Sequence, residues 1–266
     1  MKPCVLITGA GGGMGSATCR LLLEKGYRVL ALDRRAPEVE GDLTFLATDL
    51  TDPASVEAAF EKVSAATDEL AGIIHMAGIY DLKSLIEMGE EDFGRIFQVN
   101  LFGVYRVNRI FYPLLKKNSR VIITTSELAP LDPLPFTGIY GVTKAALEKY
   151  AYSLRMELNL KGMKVSVIRP GAVKTDLLGV STTALERFCK KTKLYPCNAD
   201  RFRNIVNHVE AKSVAPEKIA ALAAKALEKK HPRYTYSINR NPLLRLLNLM
   251  PQHFQVWIIR QILKEK

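Results

Sequence analysis

Short runs of Val, Ile and Leu alternate along the chain with longer stretches in which apolar residues recur every three or four positions. The short runs predict strands, and the longer stretches predict helices. Such alternation is typical of an α/β fold, in which helices cover both faces of a doubly wound parallel sheet, here of about seven strands. The predicted strands are Cys4–Thr8, Arg28–Asp33, Leu43–Thr48, Gly72–His75, Arg120–Thr124, Lys164–Arg169 and Arg233–Ser237. The main predicted helices are Ala17–Lys25, Asp92–Lys117, Gly138–Lys161 and Pro216–Lys230.

A glycine-rich turn follows the first predicted strand and leads into the first predicted helix. Its sequence is Thr8-Gly9-Ala10-Gly11-Gly12-Gly13-Met14-Gly15. In this context glycines bring the backbone close to a pyrophosphate, which the helix N-terminus then holds. The second strand ends at Asp33, whose carboxylate can accept both hydrogen bonds of an adenosine ribose diol. The alternative is a flexible glycine loop with an unrelated aspartate.

Tyr140 and Lys144 are four residues apart in a stretch with a helical pattern. Residues at this spacing lie one turn apart on the same helix face. A phenol normally loses its proton near pH ~10, and an ammonium held beside it lowers that pKa. A tyrosine tuned in this way can act as a general acid or base near neutral pH. Because the spacing alone is common, the alternative is an ordinary pair on a helix surface.

The spacing Gly9-x-x-x-Gly13-x-Gly15, combined with Tyr140 and Lys144, resembles the short-chain dehydrogenase/reductase family. The resemblance covers roughly the whole chain and is closest to the steroid- and retinol-oxidising branches. It implies a single-domain Rossmann fold and an enzyme that interconverts an alcohol and a ketone or aldehyde with NAD or NADP. Further matching motifs follow in family order, namely Asp49-Leu50, Ala77-Gly78, Val99-Asn100, Thr125-Ser126 and Pro170-Gly171-Ala172-Val173-Lys174-Thr175.

The resemblance also implies roles for these residues. Tyr140 is the expected general acid and base, and Lys144 is expected to lower its pKa and bind the nicotinamide ribose. Ser126 is expected to polarise the substrate carbonyl, and Asn100 to hold a water that links Lys144 to solvent. The other expected cofactor contacts are Thr8, the glycine turn with Met14, Asp33, Arg34, Asp49, Leu50, Ala77, Gly78, Pro170, Gly171, Val173 and Thr175.

Two positions depart from the family pattern. His75-Met76 stands where the family usually has Asn-Asn, which leaves open the side-chain hydrogen bond that steadies the central sheet. The interval from Ser126 to Tyr140 is one residue longer than the commonest family spacing, and the proline-rich loop from Pro130 to Pro135 can absorb the extra residue.

Local charge bears on the choice of cofactor. Asp33 favours NAD because a carboxylate repels the 2′-phosphate of NADP. Arg34 and Arg35 follow directly, and either can cover the adenine or pair with a phosphate, so an NADP-dependent carbonyl reductase is the alternative. A non-catalytic dinucleotide-binding sensor or scaffold is a further alternative. The presence of all four expected catalytic residues argues against it.

Residues 1–240 are predicted to form the dinucleotide-binding and catalytic domain, with a substrate lid at about 176–214. The lid carries Leu177, Leu178, Val180, Leu185, Phe188, Leu194, Tyr195 and Phe202, and the facing wall carries Leu131, Leu134, Pro135 and Phe136. An apolar pocket favours an apolar alcohol or ketone, such as a steroid, retinoid or lipid derivative. The alternative is that these residues only pack helices together.

Residues 241–266 form a predicted amphipathic C-terminal extension, which Pro251 kinks or splits. Its charged residues interrupt the apolar run well short of the ~20 residues that span a bilayer. Two interpretations remain open. The extension packs on the substrate cleft or a partner subunit, or it lies in a membrane interface with Trp257 and arginines at headgroup level. Its apolar positions are 243, 246, 247, 250, 254, 257, 258 and 262.

The net charge of +11 raises the question of nucleic-acid binding. From Arg201 to Lys266 the chain has thirteen basic and four acidic residues, so most of the excess lies in the last quarter. With no groove-reading motif, nucleic acid is not expected as a partner. The four cysteines have no metal-ligand spacing, so no metal site is predicted. The chain shows no signal peptide, which predicts a cytoplasmic protein, peripheral to a membrane if the extension touches lipid. A homodimer or homotetramer through the two long helices is implied by family resemblance.

Overall fold

The computed structural model describes residues 2–210 and 212–264, apart from the side chains of residues 176–183 and 207–210. Seven strands form one sheet in the order β3-β2-β1-β4-β5-β6-β7, and every neighbouring pair is parallel. The predicted doubly wound α/β fold is therefore confirmed. The strands are β1 (Cys4–Thr8), β2 (Arg28–Asp33), β3 (Leu43–Ala47), β4 (Leu70–His75), β5 (Leu115–Thr124), β6 (Lys164–Pro170) and β7 (Thr235–Ile238).

Helices cover both faces of the sheet in the described part of the chain. They are α1 (Gly13–Glu24), α2 (Pro53–Ala66), α3 (Glu90–Phe97), α4 (Gly103–Phe111), α5 (Gly138–Leu160), α6 (Asp176–Lys191), α7 (Pro196–Glu210), α8 (Pro216–Glu228), α9 (Pro242–Asn248) and α10 (Gln252–Leu263). Successive strand residues point to opposite faces. Val5 and Ile7 accordingly pack in the core beneath α1 and α8, whereas Leu6 packs in the core beneath α2, α4 and α5.

The predicted helix Asp92–Lys117 is wrong in its continuity and in its end. The structure has α3, a π-helical stretch at Gln98–Phe102, α4, and a 3-10 turn at Tyr112–Leu114. Pro113 ends the helical run because it has no N–H to donate and its ring disfavours continuation. The chain then enters β5 at Leu115, five residues before the predicted start of that strand.

Helix α2 is absent from the sequence prediction, although its start carries a clear signal. The Asp52 side chain accepts a hydrogen bond from the Ala54 backbone N–H, and Pro53 occupies the first turn. An aspartate N-cap followed by proline is a typical helix start. The helix packs three apolar residues against the sheet, Val56, Ala59 and Val63.

A third apolar cluster lies beyond the sheet, between the predicted lid and the C-terminal extension. Phe136 packs there against Phe188, Tyr195 and Phe202, with ring centroids 4.6–5.5 Å apart. Leu263 of α10 is buried in the same cluster. The extension therefore packs on the lid through one side. The prediction that Pro251 splits the amphipathic pattern is confirmed, since α9 ends before it and α10 begins directly after it.

Candidate active site

The glycine turn lies at the carboxyl ends of β1 and β4. Gly9 has a φ of +71°, and a Cβ there would lie 2.3 Å from the Ala77 backbone nitrogen. A Cβ at Gly15 would lie 2.0 Å from the Gly9 carbonyl oxygen. Both positions require glycine because the neighbouring backbone leaves no space for a Cβ. At Gly9 the positive φ would also strain any L side chain. The turn is thereby held tightly against the start of α1.

Helix α1 begins at this turn without a side-chain cap and without an acidic residue in its first turn. The first N–H groups of a helix have no partner within the helix. Together with the positive end of the helix dipole, they form a favourable position for a phosphate group. This end of α1 opens into a groove, and the N-terminus therefore fits the pyrophosphate of a dinucleotide.

Asp33, at the end of β2, is held in that groove by two backbone N–H groups. Its Oδ2 accepts from Gly11 at 3.0 Å, and its Oδ1 accepts from Arg35 at 3.1 Å. The carboxylate is thus fixed in position before any ligand binds. Gly11 contributes to the site through this hydrogen bond, because its own atoms do not line the groove.

Most of the predicted cofactor contacts line one continuous groove. They are Gly9, Gly12, Gly13, Met14, Gly15, Asp33, Arg34, Asp49, Leu50, Ala77, Gly78 and Thr175. Thr8 is an exception, since it is buried with its hydroxyl 3.5 Å from His75 Nδ1. Arg35, which the sequence analysis considered as an adenine or phosphate contact, lines the groove as well. Eight further lining residues were not among the predicted contacts, namely Leu32, Thr48, Thr51, Met76, Ile79, Tyr80, Arg95 and Val99.

Thr51 is the missed groove residue with the clearest sequence signal. Its N–H and hydroxyl both donate to Asp49 Oδ1, at 2.8 and 2.7 Å. Both hydrogen bonds lower the pKa of Asp49, and the one from the hydroxyl has the larger effect. An aspartate two residues before a threonine is a common side-chain-to-backbone turn. Asp49 therefore shapes the adenine end of the groove as an organised turn.

His75 stands where the family pattern has asparagine, and its ring makes a side-chain hydrogen bond that connects the sheet to the helices. Its Nε2 lies 2.9 Å from Asn108 Oδ1, and the Asn108 amide donates to the Tyr150 hydroxyl at 3.1 Å. Burial lowers the pKa of His75 to about 4, so the ring is neutral near pH 7. The departure from the family pattern thus ties β4 to α4 and α5.

Lys144 lies under the groove on α5, one turn beyond Tyr140. The lysine is only 4% exposed, and its Nζ donates to the Thr124 carbonyl at 3.2 Å. Burial lowers the pKa of Lys144 to about 8. The Nζ lies 5.7 Å from the centroid of the Tyr140 ring, so the predicted proximity of the pair is confirmed.

Tyr140 has a raised rather than a lowered pKa. Burial raises the pKa of its phenol to about 12, a hydrogen bond from Ser126 opposes that shift, and the charge of Glu127 adds to it. The prediction of a lowered Tyr140 pKa is therefore wrong for this structure, because burial of the phenol outweighs the hydrogen bond from Ser126. Ser126 nonetheless reaches the phenol despite the longer loop before Tyr140.

Asn100 lies in the π-helical stretch and is fully buried. Its amide donates to the Ile79 carbonyl at 3.0 Å and to the Thr143 hydroxyl at 3.1 Å, and its Oδ1 accepts from the Ile79 N–H at 2.8 Å. The side chain therefore clamps the segment after β4 to α5. A π-helical turn at this position is common in functional sites.

A mainly apolar pocket joins the groove at Ala77, Gly78 and Thr175 and contains Tyr140, Ser126 and Lys144. Pro170, Gly171 and Val173 line it, as predicted for the nicotinamide side. The pocket is also lined by the apolar residues Leu134, Phe202, Ile205, Val206 and Leu244. The predicted lid residues Leu177, Leu178 and Val180 lie outside the described side chains.

Glu127 is the pocket residue that the sequence analysis missed most clearly. It is buried directly after Ser126, and burial raises the pKa of its carboxyl group. Its Oε2 accepts a hydrogen bond from the Asn241 backbone N–H at 2.6 Å. No spacing rule flags a single glutamate after a strand, so its place in the pocket emerges only in three dimensions.

Over the described residues no group of His, Cys, Asp or Glu has the arrangement of a metal site. Within the same part of the chain, none of the helices has the length and apolar character needed to cross a membrane.

The parallel sheet, the glycine turn and the Ser–Tyr–Lys cluster together define a dinucleotide-binding α/β oxidoreductase. A family model described as "short chain dehydrogenase" matches residues 3–185. The chain therefore belongs to the short-chain dehydrogenase family, whose members act on CH–OH or carbonyl groups with NAD or NADP.

Comparison with individual proteins gives the same family. The chain is 27% identical to a 3-ketodihydrosphingosine reductase of Bacteroides thetaiotaomicron, over 93% of this chain and 91% of that protein. It is 32% identical to the human 17-beta-hydroxysteroid dehydrogenase type 2, over 68% of this chain and 50% of that protein. A short chain dehydrogenase family protein from Francisella tularensis has the same fold, with a TM-score of 0.76, 21% identity, and coverage of 90% and 97% of the two chains.

Proposed function

We propose that this enzyme interconverts a hydrophobic secondary alcohol and the corresponding ketone, with Tyr140 as the general acid and base. The observation that carries this proposal is the convergence of Tyr140, Ser126 and Lys144 at the junction of an apolar pocket and a dinucleotide groove. Two of the relatives are named as a 3-ketodihydrosphingosine reductase and a 17-beta-hydroxysteroid dehydrogenase, and these names support a large apolar substrate.

In this mechanism the bound nicotinamide supplies or accepts the hydride. Ser126 donates a hydrogen bond to the substrate oxygen, where negative charge develops during reduction. Tyr140 gives its proton to the same oxygen in reduction and takes it back in oxidation. Because burial raises its pKa to about 12, the phenol is protonated at neutral pH and is ready to act as the acid. Lys144, with a pKa lowered to about 8, can exchange a proton near neutral pH.

Asn100 acts in this proposal by position rather than by direct contact. It holds Ile79 and Thr143, and a Cβ on Gly78 would lie 3.4 Å from both Asn100 Oδ1 and Lys144 Nζ, so the two polar groups flank the same glycine. A water held between these two groups would connect the lysine to the asparagine.

NAD is the cofactor that the groove favours. Asp33 is fixed by two backbone N–H groups, so its carboxylate cannot easily turn away from a 2′-phosphate. Repulsion between the two anions disfavours NADP. The alternative is NADP, which Arg34, Arg35 and Arg95 favour because they line the same groove.

The test is a spectrophotometric screen at the nicotinamide absorbance, with NAD, NADP and a panel of hydrophobic alcohols and ketones. We expect turnover of at least one secondary alcohol or ketone with an apolar chain or ring system, and higher catalytic efficiency with NAD. Turnover confined to small polar alcohols would contradict the assignment of the apolar pocket.

The C-terminal extension supports a peripheral membrane contact. Between Lys229 and Lys264 the sequence has no acidic residue, and of the basic residues Arg240 precedes α9, whereas Arg245 and Arg260 lie within α9 and α10. Apolar side chains that the lid leaves uncovered are Leu243, Leu246, Leu249, Phe254, Val256, Trp257 and Ile262. An apolar face rimmed by arginine fits an interface of anionic lipids.

Flotation with anionic and with neutral liposomes tests this contact. The variant Leu249→Glu, at a position 83% exposed, is expected to lose most of the binding. Ile86→Glu is the matched control, since Ile86 is 77% exposed and lies before α3, outside the extension and outside α4 and α5. Equal flotation of the two variants would exclude the extension as the contact surface.

A homo-oligomer is proposed through α4 and α5. Tyr105, Tyr152, Met156 and Leu160 on these helices are each more than 40% exposed. Exposed aromatic and aliphatic residues on adjacent helices are typical of a subunit interface. Light scattering coupled to size exclusion should give a dimer or tetramer, and Met156→Glu should shift it towards the monomer.

A further inference from the structure

Glu127 is a buried acid that the proposed reaction does not use. The residue is 9% exposed, and its carboxylate lies between Gly171 and Asn241, which both line the pocket. Oε2 accepts the Asn241 N–H at 2.6 Å, and Oε1 lies 2.9 Å from the position that a Cβ on Gly171 would take. The carboxylate is thus part of the pocket wall, next to the glycine.

The rest of the described pocket gives this carboxylate no second strong partner. The hydroxyls of Thr124, Thr125 and Thr137 donate to protein atoms, namely Met76 Sδ and the carbonyls of Ile168 and Leu134. Among the described lining residues, Glu127 is the single acidic side chain. It is therefore the group best placed to select a substrate by charge.

The fold itself does not account for the negative charge. The exposed Arg240 lowers the pKa of Glu127, yet none of the ion pairs between described residues includes Glu127. A buried carboxylate with so little compensation is costly. The hydrogen bond from Asn241 requires only an acceptor, and a neutral glutamine would provide one. A charged group that enters the pocket would explain why the carboxylate is tolerated there.

The position of Glu127 relative to Ser126 and Tyr140 limits which part of the substrate carries the charged group. Glu127 directly follows Ser126, and Cα atoms of neighbouring residues are about 3.8 Å apart. The charge of Glu127 also raises the pKa of the Tyr140 phenol, so the two groups interact across the pocket. Ser126, Glu127 and Tyr140 line the same pocket, so a substrate whose oxygen contacts Ser126 and Tyr140 shares that pocket with the carboxylate.

We propose that Glu127 binds a protonated amine on the carbon next to the reacting carbon, so that the preferred substrates are long-chain amino ketones and amino alcohols. This proposal rests on the proposed function, since it places the substrate oxygen at Ser126 and Tyr140. The ammonium forms an ion pair with the carboxylate in a low-dielectric pocket. It also neutralises the charge that opposes ionisation of Tyr140.

Three ketones of one chain length test the proposal with the full-length enzyme and reduced cofactor. They are dodecan-3-one, 2-hydroxydodecan-3-one and 2-aminododecan-3-one. We expect kcat/KM for the amino ketone to exceed that for the plain ketone at least about tenfold, as for a hydrogen bond to a charged group. In Glu127→Gln, which keeps an acceptor for Asn241, the ratio should fall close to one.

A second variant separates charge recognition from support of α9. Asn241→Pro removes both the N–H that contacts Glu127 and the side-chain cap of α9 but leaves the carboxylate, and the φ of −73° at Asn241 is compatible with proline. We expect this variant to keep the preference for the amino ketone. Loss of the preference in Asn241→Pro as well as in Glu127→Gln would show that Glu127 serves only to hold the extension, and would overturn the proposal.

The remaining outcomes distinguish this proposal from the proposed function. Equal efficiency with the plain and amino ketones in the wild type overturns the role of Glu127 and leaves the reaction intact. A preference for the hydroxy ketone over the amino ketone does the same, because it points to hydrogen bonding without charge. Turnover of none of the three ketones, together with no turnover in the broader screen, overturns both. In the wild type, dodecylamine should raise the Tm more than dodecan-1-ol does. In Glu127→Gln, the two compounds should raise the Tm by the same amount.

Discussion

The carboxyl-end cluster and the outer wall are held in place by different kinds of contact. The cluster comprises the glycine turn, Asp33, Asn100, Ser126, Tyr140 and Lys144. The outer wall comprises helices α6, α7, α9 and α10. Backbone groups hold the cluster in place, as in the hydrogen bonds from Gly11 to Asp33 and from Asn100 to Ile79. The outer wall is held mainly by side-chain packing, and much of its apolar surface stays exposed. The difference indicates that the sheet holds the groups of the cluster rigidly, whereas the outer wall has more freedom to adapt.

The largest expected effect lies in the cluster. Tyr140→Phe removes the hydroxyl that exchanges a proton with the substrate in the proposed mechanism, and turnover should fall ~10²-fold or more. The Tm and cofactor affinity should change little, because the ring is kept. Tyr152→Phe, on the exposed face of the same helix, is the matched control and should retain full turnover. Near-normal turnover in Tyr140→Phe would refute the assignment of the acid.

A second expected effect concerns the pH dependence of stability. Burial lowers the pKa of Lys144 from 10.5 to about 8, so between these values the unfolded chain binds more protons than the folded one. The free energy of unfolding therefore rises with pH through this window, and the cost of burying the ammonium is fully present below it. From about pH 7.5 to about pH 9.5 the gain is on the order of 2 kcal/mol.

Chemical unfolding of wild type and Lys144→Met over this pH range measures that contribution. The variant should lack the rise, so the difference between the two proteins should change with pH. Lys149→Met is the control, because Lys149 is exposed on the same helix. A parallel pH dependence for wild type and Lys144→Met would mean that the ammonium is not destabilised by burial.

The third effect tests cofactor choice at the rim of the cluster. Asp33→Asn removes the negative charge and keeps an acceptor oxygen for one of the two N–H groups, of Gly11 and Arg35, that Asp33 binds. The ratio of kcat/KM for NAD over NADP should fall about tenfold, equivalent to about 1.4 kcal/mol. Asp42→Asn is the control, since Asp42 pairs with Lys2 on the surface. An unchanged ratio would shift the explanation of specificity to the arginines of the groove.

The sequence predicted the cluster far better than the outer wall. Strand, glycine turn and helix have strong local signals, and Tyr140 and Lys144 are linked by helix geometry alone. The break after α4 was missed because the apolar pattern runs through Pro113 without interruption. Glu127 and Arg95 were missed for a different reason. Their place in the site depends on contacts between segments distant in sequence, for which a single chain gives no periodic signal.

The smallest expected effect lies in the outer wall. The exposed carboxylate of Glu87 accepts from the Thr192 hydroxyl at 2.7 Å and from the Lys193 and Leu194 N–H groups at 2.7 and 3.1 Å. It thereby attaches the turn between α6 and α7 to the segment before α3. Glu87→Gln weakens these bonds, and local opening of the turn should become more frequent.

Limited tryptic digestion measures that opening, because Lys190, Lys191 and Lys193 lie at the turn. We expect cleavage there to accelerate a fewfold in Glu87→Gln, with kcat nearly unchanged and KM for a hydrophobic substrate modestly raised. Glu61→Gln, on the exposed side of α2, should cleave like the wild type. If Glu87→Gln instead lowers kcat as strongly as a change in the cluster, the turn helps to position the reacting groups. The separation between a rigid catalytic cluster and an adaptable outer wall would then be wrong.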